Sequence, residues 1–466
     1  MIVPEWVQDA VFYQIFPDRF ANGDPSNDPP NVEPWGAPPN LWGYQGGDLR
    51  GIVQRLDYLQ DIGATALYLN PIFYAGSNHR YNTIDYLRID PRLGTDSDFD
   101  VLVGEVHRRG MRLVLDGVFN HSGRGFHAFV DLLENEDHSA YRDWYHVRGF
   151  PLDAFGAGKA ERYEAWWGIK SLPKLNTSHP DVRRYLMDVA RHWIERGADG
   201  WRLDVPNEID DDSFWAEFRG AVKDANPEAY LLGEIWTVDP RWVGASHFDG
   251  LMNYPVREVL LEFLVGGQLR PSEFVQRLEA ILAAYPSEHT RAHYLPLGSH
   301  DTARIRTLCP DDRRLRQLFT LQFALPGAPG IYYGDEIGLP GDKDPDSRRA
   351  FPWDPAAWDS GLRSLVRQLA QVRRSDEALR RGDYVPLVAD NPSGLVAFAR
   401  RTSSGETRLA LNASDTNQPL TLPLGGRGWG TGDVVRDAVG NRTWTVAADG
   451  LHVRMEARGA ILLQPL

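Results

Sequence analysis

The chain has 466 residues, 42% of them hydrophobic and 24% charged, with a formal net charge of −14. An acidic balance excludes the basic footprint that nucleic-acid binding requires, and no apolar run is long enough to span a membrane. The length suits one large catalytic domain with an appendage, or two or three ordinary domains.

At the N-terminus, MIVPEWVQDAVFYQIFPDRF lacks the basic region and unbroken apolar stretch of a secretory signal. The single cysteine, Cys309, allows no intramolecular disulfide, which fits a reducing, cytoplasmic setting. Short apolar or β-branched runs read as strands over 10–16, 64–70, 111–117, 199–205, 229–235, 248–254, 293–299 and 330–336. Helical stripes alternate with them. Leu49, Ile52, Val53, Leu56, Leu59 and Ile62 predict a helix over 48–62. Others are predicted near 96–109, 181–196, 212–225, 256–267, 271–284 and 312–324. Eight strand-then-helix units predict an α/β fold, a (β/α)₈ TIM barrel over 1–120 and 177–380.

Residues 121–176 interrupt the rhythm after the third strand and are rich in His, Trp, Tyr and Gly. Loops that long in a compact domain are usually functional, so an inserted subdomain is expected over the C-terminal face of the barrel. From 384 to 466, short alternating runs such as LVAFARRT and TRLALNAS predict a small antiparallel β-sandwich domain.

Barrel strands end at the face where loops assemble an active site. The third strand ends in Asp116 and runs on to Asn120 and His121; the fourth carries Arg202 and Asp204; the fifth ends at Glu234; the seventh leads to His300 and Asp301. Arg202 and Asp204 are two apart in DGWRLDVPNEI and so share one strand face. Burying such a pair without further partners is expensive. A cluster of acids without metal-spaced ligands suits glycoside hydrolysis, in which one carboxylate is the nucleophile and a second protonates the leaving oxygen. A guanidinium beside Asp204 favours its ionised form, and desolvation in LLGEIW is expected to raise the pKa of Glu234. His121 and His300 read equally as neutral donors to sugar hydroxyls or as structural histidines. Trp236, two residues after Glu234, is the candidate platform for the leaving-side sugar.

DGVFNH, GWRLDVPNE, GEIW and GSHDT, in this order, resemble the four conserved segments of the α-amylase family of glycoside hydrolases. LPKLNT (172–177) and YGDEIGLPGDKDPDSRRAFPWD (333–354) are similar to its cyclomaltodextrinase, neopullulanase and maltogenic amylase group. The resemblance implies Asp204 as nucleophile, Glu234 as acid/base and Asp301 as the residue that binds sugar hydroxyls in the transition state. Arg202, Asp116, Asn120, His121 and His300 would support them, with Tyr86 as the platform under the cleaved glucose. It implies retention of configuration and α-glucan substrates: cyclodextrins, maltodextrins or pullulan. An exo-acting α-glucosidase or a glucosyl transferase of the same family is the alternative. The barrel begins within about ten residues of Met1, so the group's N-terminal β domain is expected to be absent, leaving a monomer or a dimer unlike the usual one. Asn82 stands where the group has Asp, Leu172 where it has Met, and Pro206 where Ala is more usual.

NGDPSND places Asn22, Asp24, Asn27 and Asp28 in one loop, with Gly46 and Asp48 following. Alone this reads as a polar turn. Members of the group bind calcium at this loop together with a Gly-x-Asp, so the resemblance implies a structural Ca²⁺, an ion that takes six to eight oxygens. EIDDD (208–212) reads as a helix cap. Trp166 and Trp167 either stack sugars at the mouth or pack the insertion onto the barrel.

Overall fold

Parallel strands buried on both faces must be apolar almost throughout, and the first, second, fourth and fifth barrel strands are buried at every residue. The computed structural model describes residues 3–426 and 428–466. Its barrel strands are β1 (Phe12–Ile15), β2 (Ala66–Leu69), β3 (Arg112–Gly117), β4 (Gly200–Leu203), β5 (Tyr230–Gly233), β6 (Gly250–Leu251), β7 (Tyr294–Pro296) and β8 (Ala328–Tyr332). They pair in the order β6-β5-β4-β3-β2-β1-β8-β7. A parallel bridge between Met252 and Tyr294 links the two ends of that order.

The period of two along each strand divides the core. Phe12, Ala66, Tyr68, Val114, Tyr230, Leu232, Tyr294 and Ala328 form one cluster inside the barrel. Leu67, Leu69, Leu113, Leu115, Trp201, Leu203 and Leu231 belong to the larger cluster against the helices. Two residues beyond the inward apolar positions, the same face carries Gln14, Asn70, Asp116, Arg202 and Glu234, all buried. The barrel interior is therefore apolar below and polar at the C-terminal ends of its strands.

The surrounding helices carry the expected stripes. Pro180–Glu195 buries Leu186, Val189, Ala190 and Trp193. Asp211 caps Asp212–Ala225 by accepting from the Ser213 and Phe214 amides, as EIDDD suggested. Two elements differ from expectation. The helix over 48–62 is two helices, Leu49–Gln54 and Leu56–Asp61, broken at Arg55 (φ −107°, ψ 8°), whose guanidinium lies 3.9 Å over the Trp353 ring. The strand over 248–254 shrinks to Gly250–Leu251, because Asn253 caps the Val256 amide and Pro255 sets the first turn of a helix beginning at Tyr254.

Within 121–176 lie one helix, His127–Asn135, and short turns, tied back by bridges of His121 to Lys174 and Tyr145 to Leu175. The C-terminal strands are β9 (Asp383–Asp390), β10 (Leu395–Arg401), β11 (Glu406–Asn412), β12 (Gln418–Leu422), β13 (Val434–Asp437), β14 (Thr443–Thr445), β15 (Leu451–Met455) and β16 (Ala460–Pro465). They form a six-stranded sheet, β9-β10-β11-β16-β13-β14, and the pair β12-β15. Leu395, Leu420, Val453 and Leu463 pack in one core between them. Among the described residues no helix is long and apolar enough to cross a membrane.

Buried Arg400 joins this sheet to the barrel, and buried Arg373 holds carbonyls on the barrel side, both without a carboxylate hydrogen-bond partner. Arg400 on β10 donates to the Ala324 and Gly382 carbonyls at 2.7 Å each, and Arg373 to those of Phe323, Leu379 and Gly327. Burial pulls Arg400 well below the usual arginine range and Arg373 down to about 9. Arg400→Met strands the carbonyls of Ala324 and Gly382. It is expected to cost about 2–5 kcal/mol in urea unfolding; wild-type stability would show that these carbonyls are satisfied without the cation.

Candidate active site

The polar layer at the strand ends converges on one buried guanidinium. Arg202 Nη1 donates to Asp116 Oδ1 at 2.8 Å and to Asp204 Oδ1 at 3.0 Å. Its Nη2 lies 2.9 Å from Glu234 Oε2 as an ion pair, without hydrogen-bond alignment. The Tyr68 and Tyr81 hydroxyls donate to the other oxygen of Asp116, each at 2.8 Å. Glu234 Oε2 also accepts the Val205 amide at 3.0 Å, and its Oε1 the Trp236 indole at 3.3 Å. Val205 reaches that position in the left-handed region (φ 36°, ψ 52°), strained for a β-branched residue. The surroundings of Glu234 are thus more polar than LLGEIW suggests: a cation and two N–H donors reach a carboxylate that is otherwise buried.

Asp301 stands at the rim with its side chain 33% exposed, its Oδ2 3.1 Å from His300 Nε2 and its Oδ1 3.5 Å from Arg348 Nη2. Burial pushes Asp204 well above the usual carboxylate range, against the pull of Arg202, and pushes Asp301 up to about 7 with help from the Glu234 charge. Like charges this close titrate as a group. Burial drives the histidines the other way: His300 well below its usual value, His121 to about 4 and His79 to about 3. All three are therefore neutral near pH 7. Gln14 Nε2 donates toward His300 Nδ1 at 2.9 Å, which assigns the proton of His300 to Nε2, 2.6 Å from the Tyr81 hydroxyl. His121 lies beside Asn120, with Nε2 3.2 Å from the Tyr81 carbonyl.

A model of the α-amylase catalytic domain matches residues 14–382. The chain belongs to the α-amylase family. It is 44% identical to a cyclomaltodextrinase of Geobacillus thermopakistaniensis over 91% of this chain and 72% of the relative. It is 42% identical to neopullulanase 2 of Thermoactinomyces vulgaris, over 91% and 73%. A solved structure of cyclic α-maltosyl-(1→6)-maltose hydrolase from Arthrobacter globiformis superposes with a TM-score of 0.90 at 39% identity, covering 99% of this chain and 100% of that one. The protein is a glycoside hydrolase of this family.

In this α-amylase-family barrel, Tyr86 has no face open to a sugar. It is 0% exposed, donates its hydroxyl to the His121 carbonyl and packs against Phe119, Phe126 and Tyr185. The side chain at the mouth is Tyr81, stacked on His300 with ring centroids 5.5 Å apart and planes at 5°. Both tyrosines belong to YNTIDY; Tyr86 lies on the strand Thr83–Ile89, which turns it inward, whereas Tyr81 precedes that strand. Asn82 accepts from Ser77 and makes no contact with the acidic cluster. Gln14, Asn70 and Arg348 also line the cluster without having been singled out. The first two stand at or next to the ends of β1 and β2, where the strand-end rule applies. Trp236 is 46% exposed and stacks on Tyr254 at 3.7 Å. Trp166 stacks on His121 on one side and on Trp167, 73% exposed, on the other.

Away from the mouth, the loop at Asn22 folds around Asp48, whose carboxylate accepts the Gly23, Asp24 and Gly51 amides and the Asn27 side chain. Asp24 is taken up by Ser26 and Arg50. Asp28 holds the Asn22 amide, and Gly46 sits in the left-handed region (φ 80°) where a Cβ would lie 2.3 Å from Asp28 Oδ1. Asn22 Oδ1 and Asn27 Oδ1 are buried with no partner. Among the described residues no three His, Cys, Asp or Glu side chains gather as a metal site, so an ion here would rely mainly on amide and carbonyl oxygens.

Tyr81→Ala is expected to lower kcat/KM by about 100-fold, while Tyr86→Phe should cost about 1 kcal/mol of stability with kcat unchanged; the reverse pattern would restore Tyr86 to the site. Asp301→Asn removes one of the like charges, so the alkaline limb of the residual kcat/KM profile should move to lower pH. A limb that stays in place contradicts the shared titration.

Proposed function

We propose that the protein is a retaining α-glucan hydrolase that cleaves α-1,4 bonds of cyclodextrins, short maltodextrins or pullulan, with some α-1,6 cleavage. One observation carries this reading: a single buried guanidinium contacts both Asp204 and Glu234. Two carboxylates held by one planar fork suit the separation of about 5–5.5 Å that retaining glycosidases use. Asp204, on Nη1, attacks the anomeric carbon while Glu234, as the general acid, gives a proton to the departing oxygen. Glu234 then takes a proton from water, which attacks the glycosyl–Asp204 ester and regenerates the acid. Asp301 and the neutral His121 and His300 bind sugar hydroxyls, Tyr81 lies under the ring at the cleaved bond, and Trp236 supports the leaving sugar. The names of the cyclomaltodextrinase and neopullulanase relatives support cyclodextrin and pullulan. The α-(1→6) linkage named for the Arthrobacter hydrolase supports the α-1,6 component. The buried, unpaired Cys309 agrees with a cytoplasmic setting.

Initial rates on γ-cyclodextrin, soluble starch and pullulan, with Asp204→Asn as the blank, test this reading. The variant is expected to lose at least about 1,000-fold, and γ-cyclodextrin should exceed starch. A starch rate equal or higher points to an open, amylase-like cleft, and a folded protein inactive on all three removes the reading.

We also assign a structural calcium ion to the Asn22 loop. Asn22 Oδ1, Asn27 Oδ1, an oxygen of Asp28 and the Gly46 carbonyl would hold it, inside a frame organised by Asp24 and Asp48. The two orphaned buried amide oxygens support this, since such atoms call for a partner; a bound ion adds only cohesion of the loop. Chelation is expected to lower stability by about 3 kcal/mol at an ion concentration a hundredfold above its dissociation constant. An unchanged melting curve in EDTA removes the ion.

A further inference from the structure

Four polar side chains close a ring of hydrogen bonds beneath the mouth. Gln14, on β1, uses both protons of its side-chain amide: Nε2 donates to His300 Nδ1 at 2.9 Å and to Asn70 Oδ1 at 3.1 Å. Asn70, just past β2, donates Nδ2 to the Tyr81 hydroxyl at 3.0 Å, and that hydroxyl lies 2.6 Å from His300 Nε2. Gln14, Asn70 and His300 are all buried, and Gln14 Oε1 is left there with no partner. An amide that leaves its own oxygen unpaired while pointing both protons into the ring is held by more than its own two bonds.

The further constraint is Asp116. Its Oδ2 accepts the Tyr81 hydroxyl at 2.8 Å and lies 3.5 Å from Asn70 Nδ2. Turning Asn70 over would set a carbonyl oxygen against that carboxylate, so Nδ2 faces Asp116 and Oδ1 faces Gln14. Gln14 must then present Nε2, because its own carbonyl would meet Asn70 Oδ1. His300 Nδ1 therefore faces a donor, and the proton of the imidazole is left on Nε2. We propose that Asn70 and Gln14 are positioning residues, through which the charge of Asp116 fixes His300 as an Nε2–H donor to the substrate. This deepens the α-glucan reading above and rests on it. Asp301 Oδ2 is 3.1 Å from the same nitrogen, so the proton stands where Asp301 and a sugar hydroxyl meet. The amides carry orientation without titrating themselves. The titratable and charged groups around His300 are Tyr81 and Asp301 at Nε2, with Arg202, Arg348 and His79 beyond them, and both arginines oppose a charge on the imidazole.

Histidine-selective ¹⁵N labelling with long-range ¹H–¹⁵N correlation reads the tautomer, and His300→Asn identifies the signals. The wild type is expected to show His300 with Nδ1 bare and Nε2 protonated. Asn70→Leu and Gln14→Met, which keep the volume of each side chain, should give a mixture of tautomers. Gln14→Met should lower kcat/KM on γ-cyclodextrin about tenfold with its alkaline limb in place. Gln14→Glu separates orientation from packing. While the introduced carboxyl and His300 share a proton, Nε2 keeps its own; once that proton leaves, the carboxylate draws the remaining one to Nδ1. The alkaline limb should therefore move to lower pH by at least about one unit, with activity below it greater than that of Gln14→Met. Nδ1–H in the wild type, or an unchanged tautomer in the variants with every limb in place, overturns the proposal; turnover of γ-cyclodextrin then leaves the α-glucan reading standing. The expected spectra in a wild type inactive on γ-cyclodextrin, starch and pullulan keep Asn70 and Gln14 as the groups that set the tautomer and overturn the substrate class.

Discussion

A guanidinium buried at the mouth of a barrel is tolerable only while its charge is matched, and Arg202 is matched three times over. Asp116 lies on one neighbouring strand, Glu234 follows the other, and Asp204 is two residues along its own. The same contacts that make the cation bearable bring Asp204 and Glu234 together at the mouth. Removing the cation would leave three buried carboxylates facing one another, with Asp301 close by. Four carboxylates against Arg202 and the more distant Arg348 leave negative charge in excess, and each ionised member of the cluster makes ionisation of its neighbours harder.

The division of the barrel interior explains why so much of this was legible. Strands closed on both faces have to be apolar, so a polar residue among them stands out. The positions that do so, Asp116, Arg202, Asp204 and Glu234, are the ones that meet. The rule extends to Gln14 and Asn70, which carry no charge and so attracted no notice, although Gln14 sets the tautomer of His300 and its side chain also donates to Asn70. What strand periodicity does not reveal is how a connecting segment presents its side chains. Tyr81 and Tyr86 are equal in composition and local pattern, and only the course of the Thr83–Ile89 strand buries one and leaves the other facing His300. Backbone strain is equally hidden. Val205 and Trp167 adopt left-handed φ without being Gly or Asn, and nothing in either residue type signals it.

At these two positions the strain lies beside the mouth. Val205 turns its amide onto Glu234, and Trp167 (φ 50°, ψ 18°) stacks outward from Trp166 and His121. Each conformation costs of order 1–3 kcal/mol and persists only because its surroundings hold it. For Val205 those surroundings are Pro206, which opens the next short turn, and the barrel strand behind it. For Trp167 they are the return of the inserted segment to the barrel, where the Leu175 amide donates to the Asn120 carbonyl and Lys174 to the Glu208 carbonyl. The insertion is anchored at the residues next to His121, so any shift of its outer surface is transmitted to the hydrogen bonds around that ring.

Stability and chemistry are thus kept at opposite ends of the same strands. At the C-terminal ends, cations meet carboxylates in a layer with little freedom to relax. On the side where the C-terminal sheet docks, Arg373 and Arg400 are buried with carbonyls alone, and burial lowers their affinity for protons. A carboxylate there would relieve that desolvation more fully, yet it would also permit a charged pair to form in several arrangements. Carbonyls fixed by helices and strands accept from a guanidinium in one geometry only. The docking of the β domain is therefore specified by direction rather than by charge, and it leaves the electrostatics of the mouth to the four acids that use them.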